Sequence, residues 1–139
     1  MVPTSLQTAK RHPQTVRVDV TGGQETVVMG RPQITNVAFT RALIAAILKS
    51  QTFSKVVEDQ SQKADYLLTV TLLNMDKRVF GLTVRIEAGW TLRRTDAGTP
   101  IWQQPIISEH TDADVRLATE GAARSNIAQG LRRISKLNL

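Results

Sequence analysis

From Leu82 to Leu92 the side chains alternate: Leu82, Val84, Ile86, Ala88, Trp90 and Leu92 fall on one side, Thr83, Arg85, Glu87, Gly89 and Thr91 on the other. A period of two over this length predicts a long β-strand with one face on a core and one in water. Shorter stretches repeat the pattern. Val16, Val18 and Val20 alternate with Arg17 and Asp19; Phe53, Val56 and Val57 suggest a second short strand; Tyr66 to Leu73, opened by Asp65, suggests a third; Ile101 to Ile107 suggests the strand after the long one.

Two segments carry helical spacing instead. Phe39, Leu43 and Ile47 recur every four residues, with Ile44 and Leu48 widening the stripe and Thr35 or Asn36 placed to cap it. Ala123, Ile127, Leu131, Ile134 and Leu137 mark a second helix from about Asp114 to Leu137. Ala118, Gly121, Ala122 and Ser125 keep its first half thin, so it can approach a sheet closely. Glu120 and Arg124 are spaced as an i,i+4 pair.

Punctuation separates these elements. Gly22-Gly23 ends the first strand, and residues 26–29 read either as loop or as one more short strand. Asp76 to Gly81 is a charged connection. Thr95 to Thr99 is a hairpin turn in which Gly98 is expected to supply a positive φ. Pro105 marks an edge strand or a bulge. Residues 1–13 are polar, hold two prolines and show no period, so they read as a flexible tether to a single domain over 14–139.

The expected fold is α/β of the α+β type. It has one mixed sheet of four to five strands in β-α-β-β-β-α order, with a fourth strand after the first helix in the fuller count. Both helices lie on the face lined by Val84, Ile86 and Trp90. The first βαβ unit should be a parallel, right-handed crossover, and the later strands an antiparallel meander.

At 139 residues and 41% hydrophobic the chain can bury a core without staples. Cysteine is absent, which removes disulfides and thiolate chemistry. No apolar run approaches the ~18 residues of a membrane span, and the first residues lack the apolar core of a secretory signal. The net charge of +6 divides as +2 over 1–34, +2 over 35–58, zero over 59–110 and +2 over 111–139. Along the chain this is a diffuse excess, which argues against a phosphate-tracking groove and a nucleic-acid partner.

Candidate chemistry is sparse. Glu109-His110-Thr111-Asp112-Ala113-Asp114 is the densest polar cluster, but its spacing matches no established metal set, and His12 falls in the tether. It is expected as a solvated loop with Asp112 or Asp114 capping the last helix. Ser108, His110 and Asp112 lack the nucleophile elbow of a hydrolase. No catalytic residue, metal or cofactor is therefore assigned. Trp90 falls on the apolar face and is expected in the core. Lys77, Arg78, Val79 and Phe80 place two cations beside two apolar side chains, and Trp102 and Gln104 lie on the predicted edge strand. These six are the candidate partner contacts.

The phrases Phe39-Thr-Arg-Ala-Leu43, Ile47 to Val57 and Ala64-Asp65-Tyr66-Leu67-Leu68 resemble small envelope lipoproteins of Gram-negative bacteria, which often read L-x-x-S-G-x-F-x-x-V and then A-D-Y-x-L. Gln51 stands where glycine is usual. Glu87 to Leu92, Ile101-Trp102-Gln103 and Ala118 to Ile127 are similar to an uncharacterised branch of that family. Its layout is like that of the activators of cell-wall synthases, the auxiliary lipoproteins of ABC-type lipid transporters and the amino-terminal domain of TolB. The resemblance implies a non-enzymatic, lipid-anchored domain on the periplasmic side of the outer membrane. Such a domain would act as adaptor or accessory subunit through an envelope protein partner, with a signal peptide and lipobox cysteine in the precursor. A carrier of a hydrophobic or lipid ligand and a basic nucleic-acid module are the alternatives.

Overall fold

The structure, a computed structural model, describes residues 11–23, 33–77 and 82–139. The chain runs β1 (His12–Thr21), α1 (Asn36–Ser50), β2 (Phe53–Val56), β3 (Tyr66–Lys77), β4 (Thr83–Arg94), β5 (Pro100–Thr111) and α2 (Val115–Ser135). Strand order is β2-β1-β3-β4-β5. β1 lies between β2 and β3 and is parallel to both, whereas β3, β4 and β5 form an antiparallel meander. This is the expected single mixed sheet with two helices, and four strands follow α1. The possible strand at 26–29 lies outside the described residues.

The strong alternation of β4 explains its central role. Val84, Ile86, Ala88, Trp90 and Leu92 are fully buried beneath the helices. The same face receives Leu68 and Val70 from β3, Ile106 from β5, Phe39, Leu43 and Ile47 from α1, and Ile127, Leu131 and Ile134 from α2. Thinness lets α2 sit close. A Cβ on Gly130 would come within 2.4 Å of the Trp90 ring, so this glycine is the floor on which the indole lies.

Several boundaries differ from the periodic reading. β1 begins at His12, inside the stretch expected as tether; residues 1–10 lie outside the described residues. His12 is buried, because its ring packs against Phe53 with centroids 5.7 Å apart and its Nε2 lies 2.9 Å from Ile134 O. β3 continues to Lys77 by way of a bulge between Leu72 and Asn74 that opposes an extra residue to β4. β5 runs on to Thr111, so Glu109 and His110 belong to a strand, not to a loop. Gly98 is not left-handed; Gly22 (φ 85°) and Gln51 (φ 57°) are. Glu120 sits 3.4 Å from Arg116, one turn toward the start of α2, and not on the expected Arg124.

Candidate functional site

β5 and the start of α2 position the polar cluster. Alternation along β5 turns Trp102, Ile106 and Ser108 toward the helices. Asp114 caps α2 by accepting from Leu117 N–H at 2.8 Å, as its place before the apolar stripe requires. Asp112 accepts from Ala113 N–H at 2.7 Å and lies 3.2 Å from His110 Nε2. The Ala113 N–H first, and His110 second, hold its carboxyl below the ordinary value. The imidazole of His110 rests on bare backbone, since a Cβ on Gly121 would come within 2.0 Å of its ring.

Ser108 points elsewhere. Its Oγ donates to Ala122 O at 2.7 Å and lies 3.2 Å from Asn126 Nδ2. The same Nδ2 donates to Ile106 O at 3.0 Å, and Asn126 Oδ1 accepts from Trp90 Nε1 at 2.9 Å. The hydroxyl thus joins sheet to helix and is not aimed at His110 as a nucleophile would be. This buried network is closed: every polar atom of Asn126 has a partner. Periodicity missed it, although an asparagine inside the apolar stripe, between Ala123 and Ile127, was a readable signal. Among the described residues no three His, Cys, Asp or Glu side chains converge as a metal set.

The candidate contact residues do not form one patch. Lys77 is exposed at the end of β3, opposite Val84, while Arg78, Val79 and Phe80 lie outside the described residues. Trp102 pairs with Leu92, and the residue is only 9% exposed. Val84 and Leu92 are eight positions apart on β4, roughly 27 Å at strand rise. Gln104 Oε1 accepts from Arg133 Nη1 at 2.9 Å and so is tied to α2. What β5 turns outward is Ile101, Gln103 and Ile107, on the sheet face away from the helices.

Two open clefts border the sheet. One, of about 420 Å³, is lined by Gln14, Lys63, Asp65, Tyr66 and Arg94. Asp65 there accepts from both Thr15 N and Thr15 Oγ1. The other, of about 500 Å³, lies beside β1 and is lined by Val18, Ile44, Val56, Val57 and Leu67 together with Arg17, Asp19, Thr40, Glu58 and Gln60. It is the more apolar of the two in its side chains, as a carried apolar ligand would require.

No family model matches the chain, and no curated protein matches it. Solved structures share the fold. XCC0632 of Xanthomonas campestris, a DUF330 protein, aligns over 97% of this chain and 87% of its own at 11% identity and a TM-score of 0.63. PelC of Paraburkholderia phytofirmans, a dodecamer, aligns over 95% of each chain at 16% identity and a TM-score of 0.62. The hypothetical protein CT253 of Chlamydia trachomatis aligns over 88% of this chain and 93% of its own at 9% identity and a TM-score of 0.63. At such identities the likeness is one of fold. The alignments extend over most of both chains in each case.

Proposed function

We propose that this chain is the periplasm-facing domain of a lipid-anchored envelope protein and works without catalysis, as an adaptor or accessory subunit. The observation that carries this reading is β5. It is a twelve-residue strand at the sheet edge, paired among the described residues with β4 alone, and it displays Ile101, Gln103 and Ile107. An edge of this length offers backbone donors and acceptors for strand addition by a partner. Anchoring is supported by the lipoprotein-like phrases in the sequence. The segment Lys77, Arg78, Val79 and Phe80 is the second contact surface.

Two measurements test the reading. Palmitate labelling of the full gene product, followed by membrane fractionation, is expected to place labelled protein in the outer membrane; unlabelled, freely soluble protein would overturn anchoring. A photo-crosslinker at Gln103 is expected to capture one envelope protein reproducibly. Deleting Val79 and Phe80 should weaken that capture while leaving the thermal melt unchanged. Capture that is indifferent to both positions would sink the adaptor role.

A further inference from the structure

The positive charge, even along the chain, is not even in space. Residues 1–18, 26–57 and 121–139 contain no aspartate or glutamate. His12 joins these three stretches. Its backbone N–H donates to Thr52 O at 2.9 Å, two residues past the end of α1, and its Nε2 lies 2.9 Å from Ile134 O in the last turn of α2. Arg11, Lys49, Arg132, Arg133 and Lys136 therefore share one end of the helical layer, and all five are exposed. Leu48, beside Lys49, is 53% exposed.

The carboxylates nearest this end belong to the sheet and not to the helices. Asp65 and Asp96 lie at this end of the sheet but beside Lys63 and Arg94, at the start of β3 and the end of β4. Asp112, Asp114 and Glu120 gather at the far end of α2. A cation favours a helix C-terminus, which accounts for Lys49, Arg132 and Arg133 in the last turns and for Lys136 at the C-cap, but not for Arg11 or for the absence of a carboxylate from either helix end. Arg133 also gives one N–H to Gln104, which holds its guanidinium beside the edge strand β5.

We propose that this end of the helical layer docks on a bilayer surface carrying anionic headgroups, with Arg11, Lys49, Arg132, Arg133 and Lys136 on the lipid phosphates. Two observations favour a membrane over a nucleic acid. Both tryptophans are buried, so among the described residues no aromatic platform accompanies the cations. An exposed leucine sits among them instead, which suits the boundary between headgroups and acyl chains. The inference rests on the envelope reading above. β1 begins at this end with His12, so an anchor carried on the N-terminal side of β1 would favour presenting this end to the bilayer.

The test is co-sedimentation of the whole chain with phosphatidylcholine vesicles, with and without about 30 mol% phosphatidylglycerol, at low and high salt. Binding is expected only to the anionic vesicles and should fade at high salt. Replacing three cations together (Arg132→Gln, Arg133→Gln, Lys136→Gln) should weaken it on the order of a hundredfold, at about fivefold per cation near the surface. A second variant, Arg11→Gln with Lys49→Gln, should act in the same direction. The far-end variant Lys77→Gln, Arg85→Gln, Arg116→Gln loses the same charge and should retain most binding. Equal binding to neutral vesicles, equal loss in both triple variants, or binding of soluble polyphosphate or RNA in place of vesicles would overturn the proposal. If vesicle binding fails while capture at Gln103 persists, the docking surface falls and the adaptor reading stands.

Discussion

Trp90 Nε1 donates to Asn126 Oδ1 at 2.9 Å, tying the most regular strand of the sheet to the middle of α2 through a fully buried bond. Asn126 also donates to Ile106 O and lies within hydrogen-bond distance of Ser108 Oγ, so one side chain closes three polar groups. Asn126→Ala should cost about 2–4 kcal/mol, because it strands the indole N–H and leaves a void. Pairing Asn126→Leu with Trp90→Phe should cost less than the two single changes added together. Urea unfolding followed at equilibrium checks both; additive single effects would mean that the pair is not coupled.

Gly130 is the complementary case. Alanine there must displace the Trp90 ring or the helix, at about 1–3 kcal/mol, with a change in near-UV circular dichroism. Gly98, with open space around its Cβ position and no left-handed φ, should accept alanine within about 0.5 kcal/mol. A silent Gly130→Ala would show that α2 does not rest on the indole.

Gln51 ends α1 in the left-handed conformation, at φ 57° and ψ 33°. That geometry is unfavourable for a side chain with a Cβ and natural for glycine. Gln51→Gly should raise stability by roughly 0.5–1 kcal/mol, read as a higher urea midpoint at an unchanged slope. A lower midpoint would mean that the side chain makes a compensating contact.

Asp59 and Asp112 titrate below their ordinary value of 3.8. For Asp59 the cause is the backbone N–H and then the hydroxyl of Ser61; for Asp112 it is the Ala113 N–H and then His110. A depressed folded value means stability that is present above the unfolded value and lost as pH falls through the folded one. Carbon-detected NMR titration should place both midpoints under 3.8. Asp112→Asn should lower stability slightly at neutral pH and change it little below the folded value, which flattens the acid side of the stability profile. A midpoint for Asp112 at or above its ordinary value would contradict the bonds drawn to it.

The chain's own pattern already contained the sheet. Period-two stretches placed β3, β4 and β5, the i,i+4 stripes placed α1 and α2, and Trp90 fell in the core because it shares a face with Val84 and Ile86. Each of these is a local property, decided by neighbours two to four residues away. Strand ends were less legible: β3 and β5 run past their apolar stretches because ladder bonds with β4 hold Asp76, Lys77 and Glu109 in extended form despite their polarity.

Tertiary structure alone decided what meets at long range. His12 reads as tether by composition, yet packing between Phe53 and the end of α2 buries it against a carbonyl 122 positions away. Asn126 reads as an interruption in a helical stripe until β5 and Trp90 arrive to complete its bonds. Three separate portions of +2 become a cationic helical end only when parallel crossing and helix stacking bring Lys49, Arg11 and Arg132 together. Periodicity reports which side of an element is apolar, whereas the identity of its neighbour depends on strand order and close packing, which no local spacing records.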